Sequence, residues 1–177
     1  EQSARVYLEP LVQRSAAYNG FNLLLGDTEG LFYYANFAPP PRAMAPGLYG
    51  LSNHFLDTPW PKVERSRAAL RQVLDQGTPL TPDDLLAILV DRTPAPDAEL
   101  PHTGIPLEWE RWLSPIFIAA PGYGTRVSTV LFVCYTGGAC MVEVTWPTAI
   151  RREWNIDWPP LGNTNTSTPA DSLPLFG

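Results

Sequence analysis

The segment Gly50–Val63 reads GLSNHFLDTPWPKV. It begins at the end of a predicted short strand at residues 48–51 and ends in the first turn of a predicted helix from about Pro61 to Gln76. Asp57 or Thr58 can cap the first turn of this helix with a side-chain oxygen, and a glycine directly after its last turn ends it. The segment therefore predicts a strand, a loop and a helix in direct succession.

Helices and strands are also predicted upstream and downstream of this segment. Apolar residues at helical spacing predict a helix over residues 3–17, which Pro10 should kink or divide. Two apolar runs around a Gly/Asp turn predict a β-hairpin over residues 21–36. Further along, Thr81 and the Pro-Asp-Asp that follows it predict the start of another helix, which ends near Asp91.

The second half of the chain is predicted to be rich in strands, with one turn of helix at residues 107–113. The predicted strands are residues 116–120, 127–135 and 139–146, together with an edge strand at residues 151–158. Paired helices between runs of strands favour a layered α+β fold over a parallel alternating fold.

Composition indicates a single globular domain. Of the 177 residues, 45% are hydrophobic and 17% are charged, which is typical of a soluble protein that can bury a core. A net charge of −6 provides no basic surface, so nucleic acid is not an expected partner. No apolar run reaches the roughly 20 residues that a membrane helix needs, and no signal peptide is visible. We therefore expect a cytoplasmic protein without a membrane span.

The two cysteines, Cys134 and Cys140, lie on either side of a Thr-Gly-Gly turn. A three-residue loop would place them opposite each other on paired strands, whereas a two-residue loop would not. Two cysteines make neither a disulfide framework nor a zinc site, so we expect buried, reduced thiols. Because the only histidines are His54 and His102, far apart in the chain, the sequence predicts no metal site.

The segment at residues 50–63 resembles a characteristic segment of the NRDE family, the relatives of the transport and Golgi organisation protein. Three further stretches resemble the same family in the same order: YNGFNLLL at residues 18–25, LEWER at residues 107–111 and PGYGTR at residues 121–126. The resemblance implies the four-layer αββα sandwich of the N-terminal-nucleophile hydrolases, in which two antiparallel sheets lie between two layers of helices.

The Asn-Arg-Asp-Glu motif that gives the family its name is absent from this sequence, and Glu1 does not resemble a natural start. We therefore expect residues 1–158 to be the C-terminal portion of an NRDE-family domain, with the missing N-terminal segment of the same protein as a partner. Residues 159–177 are expected to form a polar, Pro-rich tail. In the family the nucleophilic Cys precedes the missing motif, so we expect no amidase activity from this chain.

The resemblance also implies two residues with supporting catalytic roles. In the penicillin-acylase and bile-salt-hydrolase branch of the superfamily, an Asn in the place of Asn53 stabilises the tetrahedral oxyanion with its side-chain amide. An Arg in the place of Arg126 lowers the pKa of the nucleophilic thiol and holds a carboxylate. We expect Asn53 and Arg126 to open onto one cleft. The alternative is structural: Asn53 bonds turn backbone, and Arg126 fixes the loop at residues 123–124.

Five more residues are candidate ligand contacts: His54, Trp60, Tyr123, Gly124 and Thr125. His54 is either a ligand to haem or a hydrogen-bonded structural residue. Trp60 is either a packing aromatic or part of a ligand pocket.

Three functions remain open at this point. The first is a protein that handles a small apolar or acyl ligand, of the haem or the acyl-lipid and coenzyme A class, with no cofactor of its own. The alternative is an amide (C–N) hydrolase whose N-terminal Cys lies outside this chain. The third is an interaction module without pocket chemistry.

Overall fold

The computed structural model describes residues 2–161, and within this range the chain forms four α-helices and three small antiparallel sheets. The α+β class is therefore confirmed as a mixed fold with antiparallel sheets. Of the predicted tail at residues 159–177, all but the first three residues lie outside the described range.

The helices fall close to their predicted positions. They are α1 (Ala4–Arg14), α2 (Pro61–Leu74), α3 (Pro82–Leu89) and α4 (Leu107–Leu113), with single 3-10 turns at Ser15–Ala17 and Asp97–Glu99.

The strands form three sheets in the orders β1-β2-β3, β4-β5 and β6-β7-β8. They are β1 (Asn22–Asp27), β2 (Gly30–Ala35), β3 (Arg42–Ala43), β4 (Ala119–Ala120), β5 (Tyr123–Gly124), β6 (Val127–Val133), β7 (Ala139–Thr145) and β8 (Ile150–Ile156). Both predicted hairpins, at residues 21–36 and 127–146, are confirmed as antiparallel pairs.

Helix α1 packs against one face of the first sheet. Ala4 and Leu8 of the helix form a buried cluster with Phe32 and Tyr34 of β2, because residues two apart in a strand point to the same face. The opposite face of this sheet carries Leu24, which is 47% exposed. One face of the sheet is thus a core and the other is partly open.

The third sheet has the same arrangement, with α3 against strand β6. Val130 pairs with Val142, which is fully buried, and Arg151 on the same face forms an ion pair with Asp83 of α3. On the other face, Leu131, Met141 and Trp154 lie side by side across the three strands. Leu131 is 56% exposed and Trp154 is 38% exposed, so this apolar face is also open.

Two predicted strands are wrong in whole or in part. Residues 48–51 form no strand, because the backbone of Gly50 pairs with Asp57 instead of with a sheet neighbour. The strand predicted at residues 116–120 is reduced to Ala119–Ala120. Its first half leaves the ladder because the backbone N–H of Phe117 donates to the carbonyl oxygen of Asp91 at 2.8 Å.

The predicted cap of α2 is also wrong. Trp60 is the N-cap residue and makes no side-chain capping bond. The side chains proposed for this role are used elsewhere: Asp57 accepts from the backbone N–H of Gly50, and Thr58 donates to the carbonyl oxygen of Phe55. The helix start predicted at Thr81 is confirmed: its hydroxyl accepts from the backbone N–H of Asp84, and the Asp84 side chain accepts from the backbone N–H of Thr81, which completes a capping box.

Pro10 does not divide the first helix, which is continuous from Ala4 to Arg14. Apolar side chains before and after Pro10, among them Leu8 and Leu11, pack in the same core cluster against the first sheet.

The cysteines are free thiols, half-buried instead of buried. They do not face each other across the hairpin. Cys140 is paired with Phe132, while the backbone N–H of Cys134 donates to the carbonyl oxygen of Gly138.

Candidate functional site

The loop that carries Asn53 is closed at its base by one pair of residues. The backbone N–H of Asp57 donates to the carbonyl oxygen of Gly50 at 2.7 Å, and the N–H of Gly50 donates to Asp57 Oδ1 at 2.9 Å. Asp57 adopts a left-handed backbone conformation with φ of 60°, which Asp tolerates better than most residues. A Cβ on Gly50 would lie 2.5 Å from Cγ1 of Val63, so only glycine lets the loop base approach α2 this closely.

The tip of the same loop is tied to the first sheet. The backbone N–H of Leu56 donates to the hydroxyl oxygen of Tyr33 at 3.1 Å, and that hydroxyl donates to Asn22 Oδ1 at 2.6 Å. The amide of Asn22 in turn donates to the carbonyl oxygen of His54 at 3.0 Å. The loop is therefore fixed at both ends, which gives Asn53 a defined position.

A cavity of about 210 Å³ lies beneath this loop. The start of α2, helix α4 and the segment at residues 101–105 form its other walls. The side chains that matter most for its chemistry are Asn53, Trp60, Lys62, Ile105, Glu110 and Leu113. Two of the predicted site residues, Asn53 and Trp60, are thus brought to one cavity.

Lys62 lies at the point where α2 and α4 meet. Its Nζ donates to the carbonyl oxygen of Leu113 at 2.9 Å and lies 5.8 Å from the centre of the Trp60 ring. Burial lowers the pKa of the Lys62 ammonium group, because removal from water disfavours the charged form. The cavity therefore contains a partly desolvated amine.

Glu110 is the acidic residue of the cavity, and it is only 5% exposed. Its Oε1 accepts hydrogen bonds from both the backbone N–H and the hydroxyl of Thr103, at 2.5 and 2.7 Å. These bonds fix the segment at residues 101–105 against α4 and offset the cost of burying the carboxylate.

His54 is exposed and forms local contacts. Its Nδ1 lies 2.8 Å from the hydroxyl of Thr58, and its ring packs against Phe55 and Trp60 at 4.7 and 5.7 Å. This arrangement matches the structural alternative for His54, and the residue does not line the cavity.

The residues at positions 123–125 form a separate unit. The N–H of Thr125 donates to the carbonyl oxygen of Ile118, and the hydroxyl of Thr125 accepts from the N–H of Ile118. A Cβ on Gly124 would lie 2.7 Å from that carbonyl oxygen, and Tyr123 packs edge-on against Trp109 of α4. None of the three lines the cavity.

Arg126 is exposed and does not line the cavity with Asn53. Its carbonyl oxygen accepts a hydrogen bond from the backbone N–H of Trp146 at 2.7 Å, which closes the open end of the β6–β7 hairpin. The convergence of Asn53 and Arg126 on one reacting centre stays a prediction.

A second, larger groove of about 460 Å³ lies between α1 and strands β2 and β3. It is lined by Arg5, Glu9, Gln13, Phe32 and Ala43, among others, and contains none of the predicted site residues. Among residues 2–161, no three His, Cys, Asp or Glu side chains lie close enough together to hold a metal ion. No helix in this range is long and apolar enough to cross a membrane.

Comparison with known proteins gives consistent matches. A family model described as Transport and Golgi organisation 2 matches residues 1–148. The chain belongs to the transport and Golgi organisation 2 family. The human transport and Golgi organization protein 2 homolog is 31% identical over 150 residues, and the bovine homolog is 33% identical over the same length. Each match covers 77% of this chain and 54% of the relative, so the chain spans about half the length of these relatives.

Two residues that line the cavity were not predicted as site residues of this transport and Golgi organisation 2 family member. Lys62 and Glu110 both lie inside segments that carry the family resemblance, TPWPK and LEWER. The signal that was available for Lys62 is its rarity, since it is the sole lysine in the chain. No comparable signal existed for Glu110, because a Glu on a short helix is usually solvated.

Proposed function

We propose that this chain handles a small apolar or acyl ligand, and that the cavity beneath the Asn53 loop binds the acyl part of it. The observation that carries the proposal is the composition of this cavity. Trp60, Ile105 and Leu113 provide apolar walls, and Asn53 and Lys62 provide a few hydrogen-bond donors. Apolar walls with few convergent polar groups are typical of small-molecule sites.

The size of the cavity favours an acyl ligand over haem. At about 210 Å³ it is smaller than the roughly 300–1,000 Å³ of pockets that enclose drug-sized molecules. It admits a short acyl chain, whereas a haem would need the walls to move apart. His54, the candidate haem ligand, is bonded to Thr58 outside the cavity.

The position of Asn53 favours a second candidate, an amide hydrolase with an N-terminal Cys nucleophile. An amide donor held on a fixed loop suits an oxyanion, because the donor does not have to reorganise when charge develops. One observation weighs against this candidate: Arg126, the residue expected to support the nucleophile, does not line the cavity that contains Asn53. We therefore prefer ligand handling.

The proposal includes the αββα sandwich of N-terminal-nucleophile hydrolases as the scaffold. The layering supports it, because the first and third sheets each carry a helix on one face and exposed apolar side chains on the other. Leu24 lies on the open face of the first sheet, and Leu131 and Trp154 lie on the open face of the third. In a sandwich, two such faces are buried against sheet residues.

A cytoplasmic location is part of the same proposal. Fractionation of cells that express a tagged protein from the complete gene checks it, with recovery in a membrane or organelle fraction as the contradicting result.

Isothermal titration with hexanoyl-coenzyme A and methyl hexanoate tests the proposed function. Ile105→Trp fills the cavity from an exposed position, so we expect it to weaken binding about tenfold or more by excluding the acyl chain. Gln13→Trp is the matched control, because it adds the same bulk to the groove beside α1. Equal loss of binding in both variants, or no binding to the unmodified chain, would contradict the proposal.

A further inference from the structure

Lys62 combines three properties that point to chemistry beyond ligand binding. It is the sole lysine of the chain, it lines an apolar cavity, and burial lowers the pKa of its ammonium group. Within residues 2–161 no carboxylate lies within 4.0 Å of its Nζ. A salt bridge would hold the amine in its charged form, and its absence favours the neutral, nucleophilic form.

The surroundings of Nζ fix its position without blocking it. One N–H donates to the carbonyl oxygen of Leu113 at 2.9 Å, which anchors the end of a flexible side chain. The ring of Trp60 lies 5.8 Å away. An amine held by one bond in this way keeps two further positions on nitrogen for a new contact.

The other titratable group of the cavity is Glu110. Its Oε1 is occupied by Thr103, and among the described residues nothing donates to Oε2. A carboxyl group with one oxygen free can accept a proton and return it. The cavity therefore contains a candidate nucleophile and a candidate proton carrier.

We propose that Lys62 is a nucleophilic amine that condenses with an aldehyde bearing a short apolar chain. The nitrogen lone pair attacks the carbonyl carbon, a C–N bond forms as the carbonyl π bond breaks, and one proton passes from nitrogen to oxygen. The hydroxyl of the resulting carbinolamine then takes up a second proton, the C–O bond breaks to release water, and nitrogen loses its second proton to leave a C=N bond. No oxidant or reductant is required, and Glu110 supplies the acid–base group for the proton transfers. This covalent step goes beyond the proposed acyl-ligand function.

Reductive trapping tests this proposal. The 177-residue chain is incubated with hexanal and cyanoborohydride at pH 7, and peptide mapping by mass spectrometry locates the hexyl adduct. Each unit by which the pKa of an amine falls raises its free-base fraction about tenfold near neutral pH. We expect Lys62 to react faster in the folded chain than in the same chain unfolded in urea, because burial lowers its pKa and so increases the fraction of neutral amine.

Two variants complete the test. Lys62→Arg should leave no adduct in the cavity, because an Arg guanidinium stays protonated. Glu110→Gln keeps an oxygen that can accept from Thr103 and should slow adduct formation, with thermal unfolding used to confirm that the variant is folded. Reaction of Lys62 at the same rate in folded and unfolded chains would overturn the proposal, whether or not acyl ligands bind.

Discussion

Lys62, the second residue of helix α2, donates a hydrogen bond from Nζ to the carbonyl oxygen of Leu113, the last residue of helix α4, at 2.9 Å. The bond joins the start of one helix to the end of another, 51 positions further along the chain. Because the last carbonyls of a helix lack partners within the helix, a donor there satisfies an otherwise free acceptor. The contact therefore holds one corner of the cavity together.

The burial of Lys62 predicts a pH dependence of stability. Its pKa is lower in the folded chain than the ordinary value of 10.5, so between these two values the unfolded chain binds more protons. The free energy of unfolding should therefore rise with pH across this window. Urea unfolding at several pH values measures the free energy of unfolding of the unmodified chain and of Lys62→Met. The value for the unmodified chain minus the value for Lys62→Met should increase with pH across this window. A difference that stays constant or falls would show that burial does not penalise the charge.

Gly50→Ala should destabilise the fold by about 1–3 kcal/mol, because its Cβ would overlap Val63 at 2.5 Å. Gly26→Ala is the control, since the nearest atom there would be at an ordinary 3.6 Å. Chemical unfolding of both variants measures the effect. If Gly50→Ala lowers the free energy of unfolding no more than Gly26→Ala does, the loop base can move away from α2.

Asp27 should contribute stability that is lost in acid. It accepts the backbone N–H of Ala4 at 2.8 Å and those of Glu29 and Gly30, and these bonds lower its pKa. A lowered carboxyl pKa gives stability that is present above the unfolded value and disappears as the pH falls through the folded value. Asp27→Asn should cost about 1 kcal/mol at pH 7, since solvent screens part of the interaction, and less at pH 2. An equal cost at both pH values would contradict this.

The open face of the third sheet allows a test of the sandwich. In the 177-residue chain, Leu131→Lys should change stability by no more than about 0.5 kcal/mol, because the side chain is mostly exposed. In protein expressed from the complete gene, the same change should cost several times more if sheet residues cover this face. Thermal unfolding of both forms decides the question. A small effect in both would argue against the sandwich.

The sequence predicted the elements well where one local signal was sufficient. The start of α3 after Thr81 and the two hairpins followed from residue type and spacing alone. The strand at residues 48–51 and the cap of α2 were wrong for a common reason. Gly50 and Asp57 bond to each other across the loop, and that tertiary pairing leaves no trace in local propensity.

The candidate site was predictable only in part. The family resemblance selected Asn53, and its aromatic side chain made Trp60 a candidate pocket residue; the fold brings both to one cavity. Lys62 and Glu110 reach the same cavity from α2 and α4, and their meeting depends on how these helices pack. No periodicity within either helix contains that information.

The most direct test of the central claim uses the single lysine as a reporter. Protein labelled with ¹³C at lysine Cε should give one resonance, because Lys62 is the sole lysine. Titration with hexanoyl-coenzyme A should shift this resonance until it saturates, and the shift should be lost in Ile105→Trp and kept in Gln13→Trp. A resonance that does not move at saturating ligand would contradict binding of the acyl chain in the cavity beneath Asn53.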